Sequence, residues 1–96
     1  MGQFPSQWIE LISLQIAPGE EETVLRLLTE LARAINSGHE VRAMVYAKHP
    51  GTTELSMHLH HQARWVETPS APGYQLASQL AEFGSVSHTV WLPQPT

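Results

Sequence analysis

Ninety-six residues make one domain, and a chain this short buries a smaller share of its surface than a longer one, so a single sheet layer with helices on one face is about what it can build. The absence of cysteine excludes disulfides, thiolate metal sites and a cysteine nucleophile. Nine acidic residues against five basic ones, a formal net charge of -4, give no electrostatic footprint for nucleic acid or an anionic membrane surface, and no signal-like or long apolar run suggests anything but a soluble, cytoplasmic protein.

The first element, WIELISLQIA from Trp8 to Ala17, alternates: Ile12, Leu14 and Ile16 share one face, and Ile9, Leu11, Ser13 and Gln15 the other. Both faces are apolar at the start, which predicts a central strand covered on both sides. Pro18-Gly19 ends it, and Glu20, Glu21 and Glu22 suit the positive end of a helix dipole. Val24, Leu25, Leu28, Leu31, Ala32 and Ile35 continue at helical spacing, predicting a helix over about 20–36 that stops near Gly38.

Residues 40–61 read as an antiparallel hairpin turning at His49-Pro50-Gly51-Thr52. Its core face is Val41, Ala43, Val45 and Ala47 on one strand and Leu55, Met57 and Leu59 on the other. The opposite face is chemically mixed, with Arg42, Met44, Tyr46 and Lys48 against Glu54, Ser56, His58 and His60. A proline-bearing loop with Trp65 follows. Ser70 then caps a second helix with the stripe Tyr74, Leu76, Ala77, Leu80, Ala81 and Phe83, ending at Gly84. In the last run, SVSHTVWL, His88 shares its parity with Val86 and Val90 and points toward the helix-covered side, with Ser87, Thr89 and Trp91 opposite.

The order βαββαβ predicts a ferredoxin-like α+β fold, a four-stranded antiparallel sheet with two helices on one face. Right-handed crossovers put the first and third strands in the middle, the fourth beside the first and the second beside the third. One domain spans the chain, with its core over about 7–92. The other sheet face carries apolar area that predicts a pocket or an interface with a second copy.

The opening strand into APGEEETVLRLLTELA, the hairpin YAKHPGTTELSMHLHHQARW and the closing GYQLASQLAEFGSVSHTVWL together resemble the dimeric α+β barrel superfamily, and within it the antibiotic biosynthesis monooxygenase-like domains. The resemblance implies a homodimer packed sheet against sheet, with a small-molecule cavity between each sheet and its own helices or at the barrel mouth. It also implies cofactor-independent oxygenation of aromatic or phenolic compounds, such as polycyclic phenols, as one activity of the group. The haem-degrading branch uses a first-strand asparagine and a second-helix histidine that this sequence lacks, so haem degradation is disfavoured.

Among the residues, His58 and His60 have the ordinary pKa range of a general base and are the candidate catalytic pair. Arg42 and Tyr46 could hold an oxyanion, Ser56 shares their face, and Trp65 or Trp91 could stack on an aromatic ring, which makes these five the candidate substrate-binding residues. The two imidazoles fall roughly 6 to 7 Å apart along the strand by the rise per residue. A metal would need Glu54 or His88 to converge on them, and no metal or cofactor is expected. The alternative is a non-catalytic ligand-binding or assembly module whose histidine face is only an interface.

Overall fold

A computed structural model describes residues 7–38, 40–51, 53–65 and 70–95. It contains β1 (Trp8–Ile16), α1 (Glu21–Asn36), β2 (Val41–Ala47), β3 (Glu54–His61), α2 (Ala71–Leu80) and β4 (Gly84–Trp91), in the expected βαββαβ order. The strands form one antiparallel sheet ordered β2-β3-β1-β4, so the two middle strands are β3 and β1. His39, Thr52 at the hairpin turn and part of the loop after Trp65 lie outside the described residues.

Side-chain parity divides the sheet. On the helix-covered face Ile12, Leu14 and Ile16 of β1 and Leu55, Met57 and Leu59 of β3 are buried, and α1 presses Val24, Leu28 and Ala32 onto them. Leu25, read as part of that stripe, stands 44% exposed. On β2 only Ala43 is fully buried; Val41 and Val45 are half-buried against the core and Ala47 is exposed, as suits an edge strand with no neighbour on its outer side. Edge position also leaves backbone groups of β2 without a strand neighbour, and Asn36 at the end of α1 meets them. Its amide nitrogen donates to the Ala43 carbonyl at 3.0 Å, and its oxygen accepts from the Ala43 N–H at 2.7 Å. Replacing Asn36 with alanine should cost about 1 kcal/mol or slightly more, read by urea unfolding, because both backbone groups would then depend on water.

The second helix is shorter than its apolar stripe suggests. It ends at Leu80, Ala81 and Phe83 lie in the following turn, and Gly84 opens β4. Close approach of β1 explains the glycine: a Cβ at Gly84 would lie 1.9 Å from the Gln15 carbonyl oxygen. Ser70 caps the helix as expected, its hydroxyl oxygen accepting from the Gly73 N–H at 3.0 Å. Among the described residues no helix is long and apolar enough to cross a membrane.

Candidate functional site

Strand register places each side chain of the open sheet face in a transverse row. Arg42 pairs with His60, His60 with Ile9, and Ile9 with Trp91 across all four strands. The next rows run Met44, His58, Leu11, Thr89 and then Tyr46, Ser56, Ser13, Ser87. The hairpin residues singled out from sequence therefore do meet. His58 Nε2 lies 3.2 Å from the Ser56 hydroxyl, its ring packs on Tyr46 with centroids 4.1 Å apart, and His60 follows at 6.5 Å. Burial, and secondarily the neighbouring His60 charge, holds the His58 pKa below its usual 6.5. Trp91 shares this face but sits two strands away, 59% exposed, with its indole N–H on Thr89. Trp65 lies beyond the end of β3, off the sheet. Glu54 pairs with Lys48 at 3.7 Å. Among the described residues no group of three or more histidine and carboxylate side chains is arranged to hold a metal.

A second constellation, which residue-type reasoning passed over, lies on the opposite face. Glu10 of β1 has the parity of Ile12 and Leu14 and no solvent exposure at all. Its Oε1 accepts from His61 Nε2 at 2.6 Å, from the Ser70 backbone N–H at 3.2 Å and from the Ser70 hydroxyl. Its Oε2 accepts from His88 Nε2 at 2.6 Å. An ionised carboxylate can only accept, so both imidazoles donate their Nε2–H. The partners come from β3, β4 and the cap of α2, so one side chain ties three elements to β1.

Neighbouring rings fix the imidazoles further. Trp8 stacks on His61 with centroids 3.9 Å apart at 12°, and its indole N–H donates to the Ala63 carbonyl at 2.8 Å. Tyr74 meets His88 edge-on at 5.7 Å. Burial alone would raise the Glu10 pKa, but the hydrogen bonds from His61, Ser70 and His88 outweigh it and hold the carboxyl below its usual 4.5. A carboxyl with a lowered folded-state value contributes stability above the ordinary value and loses it as pH falls through the lowered one. His58, also lowered, loses its contribution as pH falls below 6.5. The stability difference between the protein and Glu10→Gln should therefore hold at neutral pH and shrink below pH 4.5, as measured by urea unfolding across pH.

The two sets approach each other at one end of the sheet. There the start of β1 and the end of β3 border a half-open cavity of about 170 Å3 lined by Trp8, Ile9, His60, His61, Gln62 and Pro93. Gln7 also borders it, with its amide nitrogen 3.4 Å from the Gln62 oxygen. A larger hollow of about 240 Å3 between α1 and α2 is walled by Leu31, Ile35, Pro72 and Leu76 and carries no titratable side chain. The smaller cavity carries two imidazoles, one of them anchored by Glu10, and is the candidate site.

No family model matches the sequence, and no curated protein matches it. Solved structures do. Rv0793 from Mycobacterium tuberculosis superposes with a TM-score of 0.72 at 15% identity, over 95% of this chain and 98% of that one. PA3566 from Pseudomonas aeruginosa gives 0.71 at 10% identity over 98% and 100%. A protein from Nitrosomonas europaea, provisionally named an antibiotic biosynthesis monooxygenase, gives 0.71 at 7% identity over 97% and 94%. At such identities the likeness establishes the fold alone: the chain shares the ferredoxin-like α+β architecture of these three structures over almost its whole length.

Proposed function

We propose that the chain is a small-molecule enzyme of the monooxygenase type, acting without a cofactor on an aromatic or phenolic compound as a homodimer joined through its open sheet faces. One observation carries this reading: a fully buried carboxylate binds two imidazoles, and one of them lines a cavity. Burying a carboxylate is costly even when it is well paired, and such groups concentrate where proton chemistry needs them. Glu10 holds His61 with Nε2–H toward the carboxylate, leaving Nδ1 with the ring's lone pair when the ring is neutral. It also stabilises the imidazolium that forms when that nitrogen takes a proton. A phenol whose hydroxyl reaches it would lose a proton to His61, and the electron-rich phenolate is the form that dioxygen oxidises. His60 stands beside His61 on the same cavity, and Glu10 acts through His61 as a positioning residue. Half-buried Ile9, Leu11 and Met44 beside exposed Tyr46 and Trp91 make an open face that favours cover by a second copy.

A second reading is favoured by one further observation, the contact of His58 with Ser56 and Tyr46 together with its lowered pKa, which keeps the ring neutral and able to accept a proton at pH 7. In it His58 and His60 are the acid–base pair, and Arg42, Tyr46, Ser56, Trp65 and Trp91 bind the substrate across the sheet face. Oxygen uptake with a panel of phenols decides. The first reading expects Glu10→Gln to lower kcat by about 100-fold or more with a small change in KM, and His58→Ala to stay within about threefold. Loss of activity in His58→Ala alone would transfer the chemistry to the sheet face. Phenol binding without oxygen uptake would overturn both and leave a ligand-binding module.

A further inference from the structure

Two strands supply every ionisable side chain of the open sheet face. β1 and β4 bring only uncharged side chains to it, with Leu11 and Thr89 in the row of His58. β2 and β3 bring Arg42, Tyr46, Lys48, Glu54, His58 and His60, and Glu40 precedes β2 with the parity of Arg42. Arg42 and Lys48 then balance Glu40 and Glu54, so the face carries no net charge while its imidazoles are neutral. Two copies can meet on it without repulsion, and a polyanion gains nothing from it.

Protons upset that balance. Among the described residues His58 has Tyr46 packed on its ring, the Ser56 hydroxyl at 3.2 Å and His60 at 6.5 Å, and no carboxylate pairs with it. Glu54 stands four residues along β3, roughly 13 Å by the rise of a strand, and is held by Lys48 at 3.7 Å. That separation exceeds the ~8–10 Å beyond which salt screens exposed charges. Glu40 lies equally far along β2 from the row of His58 and is exposed. Arg42, directly across from His60, has the wrong sign to help. Protonating both imidazoles therefore leaves each copy with two positive charges in excess, and a pair of copies with twice that.

Cover by a second copy would take water away from His58, and burial already holds its pKa below 6.5 in the single chain. The joined state would then bind fewer protons than the separate chains. Association strengthens as pH rises and is lost as pH falls through the ordinary histidine range.

We propose that the open sheet face is an acid-released contact between two copies of this chain, closed while His58 and His60 are neutral and opened when they take protons. It rests on the homodimer reading above and adds the regulation of that interface, whether or not the chain is an enzyme.

Sedimentation equilibrium of the full chain at constant ionic strength, at about pH 7.5 and about pH 5.5, reads the dissociation constant on either side of the histidine range. The constant should rise at least tenfold at the lower pH, because each imidazole kept neutral in the joined state contributes up to about tenfold per pH unit. His58→Gln keeps a polar side chain that takes no proton and should remove much of that rise. His58→Gln combined with His60→Gln should bring the two conditions to within about threefold. Circular dichroism at the lower pH should show separated chains that remain folded, which distinguishes release of this face from loss of the Glu10 network on the other. Unfolding in place of separation, an equal dissociation constant at both pH values, or a rise undiminished in either variant would overturn the proposal and leave the homodimer. Monomers at every concentration at the higher pH would remove the homodimer and its regulation together.

Discussion

Glu10→Ala is expected to lower the free energy of unfolding by about 3–5 kcal/mol, the usual cost of removing one partner from a buried charged pair. Four donors aim at the Glu10 carboxylate: two imidazole N–H groups and the hydroxyl and backbone N–H of Ser70. Alanine leaves all four facing the space of a side chain that has no solvent exposure, where water reaches them poorly. Small domains hold only about 5–15 kcal/mol in total, so this change should bring the protein close to unfolding at room temperature. Glu10→Gln keeps the shape and loses the charge. Its amide nitrogen must confront one of the donors or force an imidazole to move its proton to Nδ1, so it should fall between the native protein and Glu10→Ala in urea unfolding. A loss below 1 kcal/mol for Glu10→Ala would mean that the network contributes little to holding α2, β3 and β4 together.

Gly73→Ala is the second large effect, and its sign runs against helix propensity. Alanine in place of glycine within a helix ordinarily stabilises by roughly 0.8–1.0 kcal/mol. Here the added Cβ would sit 2.2 Å from Glu10 Oε2 and 2.9 Å from its Cδ. Neither side can retreat easily, since Glu10 is held by its donors and the Gly73 N–H is bonded to the Ser70 hydroxyl oxygen at 3.0 Å. The expected result is a loss of about 1–3 kcal/mol, the range for forcing extra volume into a packed interior. If the carboxylate is the obstacle, Glu10→Asp should cost less in the Gly73→Ala background than alone, giving a non-additive double-mutant cycle. Additive losses would place the strain elsewhere.

The fold was legible because β1 and β3 alternate cleanly and the core parity of Ile12, Leu14, Leu55, Met57 and Leu59 admits one sheet arrangement. The end of α2 was less so: Ala81 and Phe83 extend the apolar stripe, and only the approach of Gly84 to the Gln15 backbone shows that the chain has already turned. Of the candidate residues, Arg42, Tyr46, Ser56, His58 and His60 fall together because hairpin register follows from the sequence, while Trp65 and Trp91 depend on the loop after β3 and on the pairing of β4.

The Glu10 cluster was partly written in the same alternation. Glu10 has the parity of Ile12, His61 that of Leu59, and His88 that of Val86 and Val90, so three titratable side chains were marked for the covered face. His88 stands out by its parity, whereas Glu10 and His61 belong to no motif that marks them. Their convergence needed more than parity, since it depends on the stagger of β1 against both neighbours and on where Ser70 returns to the sheet.

The central claim is that an ionised Glu10 orients both imidazoles. Long-range proton–nitrogen correlation spectra of the native protein and Glu10→Gln test it most directly. His61 and His88 should both carry their proton on Nε2 at neutral pH, and this shared pattern should break in Glu10→Gln. Either ring holding its lone pair on Nε2 in the native protein, or both patterns passing unchanged into the variant, would contradict it.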